Sequence, residues 1–538
     1  MRKSTLLSAA SLAAALVSPV LATPAAAQDL TIGISAEPSA LDPHYHNLGP
    51  NNAMRRHMFE SLLLQDENQR LHPGLAVSYK PLDDTTWEFK LREGVTFHDG
   101  SPFTARDVIY TVCRIPTVEN SPSSFTVYTK GIAGMEAKDP HTLIITTDGP
   151  FPLLPVEVSA WGVLSATANG VKGDIGFSRD GCSGIDSYPK TEAFNAGDAA
   201  IGTGMFKFKE YTRGEKIVFQ RNEDYWGDKA EWATVTFRPI TADGPRVAAL
   251  LAGDVDMIDK PPLQDLERIK NEGFQVSQGL SNRVIYLHFD HEQEPTPGVT
   301  GTDKNPFKDV RVRKAVSMAI NREAIVERIM GGVAVAAGEL LPPGMFGSSP
   351  DAKATAYDPD GAKKLLAEAG YPDGFGLTIG SPNDRYINDA QVAQAVAQML
   401  TRVGIQTQVD AVTASTFFKR RNQFEFSMYL AGWGSATGEM SSPLRALIAT
   451  KNKDKGYGGT NAGRYSNPDL DALIDEALAT VDDAKREAIL QKASKLAMDD
   501  FAILPLHFEV TPWAFRKGIT YVPRADQYTL AFGVKPAS

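Results

Sequence analysis

Residues 87–114 read WEFKLREGVTFHDGSPFTARDVIYTVCR, and this stretch holds both halves of an α/β unit. Trp87, Phe89 and Leu91 alternate with Glu88 and Lys90, the period of a strand with one covered face. Asp99 and Gly100 supply turn chemistry. Thr104 then stands three residues before Asp107, a capping pair, and Val108 and Val112 follow at helical spacing. The reading is strand, turn, helix.

The same alternation extends in both directions. Ala362, Leu365, Leu366 and Ala369 lie on one helix face that Gly370 closes, as a left-handed cap does. Val392, Val396, Met399, Leu400 and Val403 mark a second helix ended by Gly404, and Ile405, Thr407 and Val409 then alternate as a strand. Asn467 with Pro468 reads as an N-cap followed by proline at the first helical position, with Leu470, Leu473 and Ile474 on the buried face. Strand signals recur at Leu143–Ile145, Ile217–Phe219, Val235–Phe237 and Ile285–Phe289. Stretches rich in Gly, Asp and Pro at 165–204, 290–306, 341–360 and 451–469 predict loops or domain crossings. Alternating elements of this kind predict an α/β architecture rather than a bundle or sandwich.

A chain of 538 residues is too long for one compact core, so two or three domains are expected. Its start reads as an export signal: Arg2 and Lys3, an apolar run from Leu6 to Leu21, and the small residues Ala25, Ala26 and Ala27. Residues 1–27 are therefore expected to be cleaved, leaving a soluble periplasmic protein beginning at Gln28. The alternative, a membrane anchor, fits a run this short and interrupted by Pro19 poorly. The formal net charge of −10 argues against nucleic acid or anionic lipid as the main partner. Cys113 and Cys182 are the two cysteines, and export to an oxidising compartment predicts a disulfide between them, with two buried free thiols as the alternative.

Catalytic and cofactor signatures do not occur. The sequence contains no G-x-S-x-G elbow, phosphate-binding P-loop, H-E-x-x-H pair or G-x-G-x-x-G after a strand. His44 and His46, with His57 and His72 downstream, could hold a metal only if further ligands converged on them. Without cysteine or an acidic cluster beside them, hydrogen-bonded histidines are the expectation, and no metal or cofactor is expected. A hydrolase built from scattered residues has no positive support.

Leu41-Asp42-Pro43, together with residues 87–114, resembles the family of extracellular solute-binding proteins that serve peptide, nickel and opine importers of the ATP-binding-cassette type. Further markers resembling that family follow in order: Gly202 to Phe206, Arg221 to Gly227, Val310 to Arg322, Tyr357 to Phe375 and Arg464 to Pro468. The resemblance spans the chain beyond the leader. It implies a two-lobed α/β periplasmic binding protein with its ligand cleft between the lobes and an additional inserted small domain. Residues 28–75, 200–284 and 510–538 would form lobe one, 76–199 the inserted domain and 285–509 lobe two. Chain crossings near 284 and 510 would be the hinge, and closure would trap ligand between lobes. The resemblance further implies a monomer that binds and does not catalyse, handing a di- or oligopeptide to the membrane permease of an ABC importer.

Peptide-binding members of the family carry a Gly-Trp pair followed by an aspartate for the ligand's amino group. Here Gly432 and Trp433 are kept, but Ala436 stands about where the aspartate is expected. Glu439 could supply that carboxylate from a shifted position, with Ser435 beside it, or the ligand lacks an ammonium group, as an opine, sugar or sugar phosphate would. Arg385 and Tyr386 lie just before a helix, where dipeptide-binding relatives carry an arginine for the ligand carboxylate. A guanidinium suits that task through its planar fork, although an ion pair with Asp384 or Asp389 is the competing reading. Trp433 is expected as an aromatic wall, with core packing as its alternative. Tyr457, Asn461 and Arg464 lie in a Gly-rich loop and offer either polar contacts or structural ones.

Overall fold

The computed structural model describes residues 29–537, so the expected leader and Gln28 lie outside the described residues. Each helix signal corresponds to a helix with a physical start. Thr104 donates its backbone N–H to the Asp107 carboxylate at 2.8 Å ahead of the helix Ala105–Arg114. Asp358 caps the helix Pro359–Glu368, and Asn467 accepts from Asp469 and Leu470 to start Pro468–Ala479. Gly370 and Gly404 take the left-handed conformation, with φ of 96° and 107°. The strand signals fall within Thr86–Leu91, Thr142–Thr147, Lys216–Arg221, Thr234–Pro239 and Gln275–Phe289.

One sheet of twelve strands runs through the molecule. At one end Asp29–Ile34 pairs in parallel with Thr234–Pro239 and Met257–Asp259. At the other, Phe375–Pro382 and Ile405–Val412 form a parallel pair joined through the helix Asp389–Arg402. Hydrophobic clusters pack on this sheet in both lobes. Leu30, Ile32, Phe206, Phe219, Phe237 and Trp513 belong to the main one of the first lobe; in the second, Leu287, Val316, Ile379, Val396, Leu430 and Leu504 form one cluster and Tyr286, Tyr429, Leu444 and Phe508 belong to another. A six-stranded antiparallel sheet, starting at Ala76–Asp83, builds a further core around Trp87, Phe89, Val108, Leu143 and Trp161.

The long strands Gln275–Phe289 and Ile503–Phe515 pass from one lobe to the other and pair antiparallel. Their register breaks between Leu280 and Val284, so Ser281, Asn282 and Arg283 leave that ladder where the lobes meet. Such an irregularity redirects side chains at a sheet crossing.

Family markers turn out to be structural. Asp42 and the Arg114 guanidinium form a buried double contact, both distances 2.5 Å, and Asp42 also accepts from Thr191. Cys113 and Cys182 are disulfide-bonded, with a Cα–Cα distance of 5.9 Å. The bridge fastens the exposed strand Gly181–Ser183 to the buried face of Ala105–Arg114. Replacing both cysteines by serine is expected to cost about 4 kcal/mol of unfolding free energy in the chain-entropy model. Guanidinium denaturation checks this, and an unchanged midpoint would sink it.

The histidines do not converge. His44 bonds the Gly162 carbonyl, His46 the Ser39 hydroxyl, and His57 is buried among Ala53, Met54 and the Ala531 amide. His72 contacts Asp66. Among the described residues no group of His, Cys, Asp and Glu is placed to hold a metal ion. No helix among them is long and apolar enough to cross a membrane.

Candidate functional site

The lobes face each other around the broken ladder. From the first lobe, the strand Met257–Asp259 ends at Lys260, whose φ of 44° is unusual for a residue with a side chain. Arg246, buried in the lobe, holds this position by donating to the carbonyls of Asp259 at 3.1 Å and Lys260 at 2.9 Å. The Lys260 amide donates to the Pro512 carbonyl. A conformation held this firmly against its intrinsic preference is a common feature of ligand sites. Surrounding protein lowers the Lys260 ammonium pKa first by desolvation; Asp259 and Glu509 oppose the shift, and Arg283 and Arg385 add to it. Its side chain is nonetheless reached by solvent, so Lys260 lines an open cleft and not a core.

Arg283, in the broken segment, reaches Glu509 at 3.4 Å and Gln527 at 3.4 Å. Glu509 also accepts from Gln527 and from the Ile387 amide. Asp259 accepts from the Ser35 amide and hydroxyl. Both acids are therefore engaged, while three cations share the space. Against Asp259 and Glu509 they leave the cleft a formal excess of one positive charge within an acidic protein.

Arg385 completes the group from the second lobe. Asp389 accepts from the backbone amides of Arg385 and Tyr386, and Asp384 from the Ala414 amide. The competing ion pair does not form: among the described residues no carboxylate lies within salt-bridge distance of the Arg385 guanidinium, which is exposed and sits 5.3 Å from the Tyr386 ring centroid. Tyr386 in turn donates its hydroxyl to the Gly432 carbonyl at 3.2 Å. A Cβ at Gly432 would meet the Tyr386 ring at 2.8 Å, so glycine there permits the close approach. Trp433 follows on the strand Met428–Gly434, half-buried, its indole N–H directed to the Ser442 hydroxyl at 3.3 Å. Arg385, Tyr386 and Gly432 thus stand together, while Trp433, the next residue on the strand, faces the other way and packs against the cluster that includes Tyr286, Tyr429 and Met440.

Three other expected contacts stand apart. Ser435 is fully buried, and its hydroxyl accepts from the Glu439 amide within the turn. The Glu439 carboxylate is buried against Arg486 at 2.6 Å and the Ser441 hydroxyl at 2.7 Å. Asn461 uses its amide on the Ala449 and Tyr465 carbonyls and the Tyr465 N–H. These side chains hold loops of the second lobe, as do Tyr457 on Asp475 and Arg464 on Asp290. Conversely, Lys260, Arg283 and Glu509 carried no recognisable motif. The nearest signal was a charged residue between a short strand and Pro261-Pro262.

Comparison with known proteins places this geometry. The family described as bacterial extracellular solute-binding proteins, family 5 Middle, matches residues 70–455. The chain is 28% identical over 508 residues to the glutathione-binding protein GsiB of Shigella flexneri serotype 5b (strain 8401), covering 92% of each. HbpA2 from Haemophilus parasuis shares the fold with a TM-score of 0.78 at 22% identity, over 95% of this chain and 100% of that one. The periplasmic binding protein DppA from Helicobacter pylori, in complex with the peptide STSA, gives a TM-score of 0.71 at 23% identity, over 94% and 98%. With the two lobes and the cleft already described, these matches establish that the chain belongs to the bacterial extracellular solute-binding proteins of family 5, the ligand-binding components that deliver solutes to the membrane permease of ABC importers.

Proposed function

We propose that this protein is exported by a cleaved leader and captures a small peptide-like ligand bearing at least one carboxylate, without catalysing its conversion. The observation that carries the ligand class is the Arg385 guanidinium, exposed, without a carboxylate partner among the described residues and set over the Tyr386 ring, with its field reaching Lys260 of the other lobe. An anion bridging cations from both lobes favours closure, because it makes the full set of contacts only when the lobes are together. The break at Ser281–Arg283 and the opposing stretch near Val510 would serve as the hinge, with lobe one formed by 28–75, 200–284 and 510–538, the inserted domain by 76–199 and lobe two by 285–509. The GsiB relatives are named for glutathione, a small acidic peptide, which agrees with a carboxylate-directed site.

Ala436, exposed where an aspartate is expected, favours a second reading: a ligand without an ammonium group, such as an opine or sugar phosphate. Thermal-shift titration of the mature protein separates the two. Stabilisation should grow as RT ln(1 + [L]/Kd) for glutathione or short peptides and vanish when their carboxylates are amidated. A response confined to opines, sugars or sugar phosphates would overturn the peptide assignment, and steady turnover of any stabilising compound would overturn the binder.

A further inference from the structure

Among the described residues every buried acid but one accepts a hydrogen bond. The exception is Glu157, 7% exposed, whose carboxylate has neither a hydrogen-bond donor nor a salt-bridge partner among them. Its Oε2 is shut off from solvent, whereas Oε1 keeps access to it, so the group is reached without unfolding. Buried polar groups are nearly always satisfied, and an unmet carboxylate marks a place for a partner supplied from outside the chain.

Glu157 ends the short helix Leu154–Glu157 of the inserted unit, and Pro155 and Val156 of that helix share a cavity at the seam with Thr437, Gly438 and Glu439 of the second lobe. The turn opposite carries the exposed Ala436 and offers no free acid of its own, since Glu439 is held by Arg486 and Ser441. Its side of the seam presents Arg445 instead. This residue lies three positions beyond Ser442, the acceptor of the Trp433 indole N–H, and its half-buried guanidinium has no hydrogen-bond or salt-bridge partner among the described residues. It sits 5.9 Å from the Tyr457 ring centroid, on a loop that the inserted unit also approaches: a Cβ at Gly456 would stand 3.8 Å from Lys130 Nζ. The field of Arg445 reaches Glu157 across the seam without a salt bridge between them, ahead of those of Glu439 and Lys130, and Tyr128 lies within the field of Glu157. A carboxylate and a guanidinium left unpaired at one seam are complementary to an ammonium group with a carbonyl or carboxylate beside it, the pattern of a free amino terminus.

We propose that Glu157 anchors the ammonium group of the captured ligand, with Arg445 donating to the neighbouring carbonyl or carboxylate. The inference rests on the peptide reading above and adds to it a free amino terminus, besides the carboxylate met at Arg385. The two anchors belong to different units, so the ligand completes both contacts only with the seam closed. Burial pushes the unliganded Glu157 carboxyl up to about 8, and near pH 7 it is largely protonated. An ammonium group beside it favours the ionised form, and binding therefore releases a proton, up to about one per ligand.

Calorimetry of the mature protein at pH 7 tests this with glutathione and trialanine, each with its amino group free and acetylated, in buffers of low and high ionisation enthalpy. On the wild-type protein the free forms should bind at least about tenfold more tightly than the acetylated ones and release a proton, read as a heat that differs between the buffers. Glu157→Gln should remove both the preference and the proton release, leaving the acetylated forms at wild-type affinity because their carboxylates still meet Arg385. Equal binding of free and acetylated forms by the wild type, or a preference or proton release that persists in Glu157→Gln, would overturn this proposal and leave the carboxylate reading intact. Failure of all four compounds to bind would overturn both.

Discussion

Arg385→Glu is expected to abolish the stabilisation that a carboxylate ligand gives the wild-type protein, while leaving the unliganded protein's unfolding midpoint within about 0.5 kcal/mol, as for a surface change. The separation follows from the geometry. In the unliganded protein the guanidinium is exposed and has no carboxylate partner among the described residues, so its removal breaks no ion pair. In the complex it would lie opposite Lys260, and truncating one partner of a desolvated charge pair costs about 2–5 kcal/mol, a fall in affinity of at least about thirtyfold. Arg385→Lys keeps the charge and loses the planar fork, so it should fall between the two. Calorimetry with glutathione or the tightest peptide found reads the affinity, and urea denaturation reads the stability. Wild-type affinity in Arg385→Glu would remove Arg385 from the site.

The same residue shows how far the sequence could be read. Arg385 and Tyr386 stood out as candidates because they sit in a loop before a strongly periodic helix, and Gly432 because its neighbour Trp433 marks the end of a strand. Local chemistry also sufficed for the caps at Thr104, Asp358 and Asn467, which depend on residues within three positions. Lys260 and Arg283 were not legible. The field of Arg385 reaches Lys260 only because the fold brings the two lobes together, the two positions being more than a hundred residues apart. Glu439, Ser435 and Asn461 misled for the opposite reason. Polar residues beside glycine suggest ligand contacts, yet each is consumed by its own loop: Arg486 reaches Glu439 from a helix that begins over forty positions later. Residue type reports the capacity to bond, and only packing decides with whom.

Stability is expected to peak near pH 6.5 and to fall on both sides, for two different sets of buried groups. Burial lowers His44 and His288 to about 3, His57, His98 and His507 to about 4, and His291 well below its ordinary value. Below the unfolded value near 6.5, the unfolded chain takes up protons that the folded chain refuses, so each histidine reduces stability as pH falls, by about 1.4 kcal/mol per pH unit. Burial raises Glu157 to about 8 and Glu339 to about 7, which acts in the reverse sense. Between pH 6.5 and 4.5 six histidines oppose two carboxyls, leaving a net loss of about 5 kcal/mol per pH unit. Above pH 6.5 the histidines are neutral in both states and the carboxyls act alone. The folded protein then retains protons that the unfolded chain has released, and stability declines until Glu157 ionises near pH 8. Glu157 is informative because its burial depends on the seam: it lies at the end of Leu154–Glu157 in the inserted unit, within the field of Arg445 and Glu439 of the second lobe. Opening that seam would hydrate the carboxyl, so rising pH favours opening as well as unfolding. Glu157→Gln should flatten the alkaline arm, leaving the acid arm in place and the protein more stable than wild type at pH 8.5. Urea midpoints between pH 5 and 9 measure both arms, and a Glu157→Gln profile that parallels wild type above pH 6.5 would show that this carboxyl is already ionised in the folded protein.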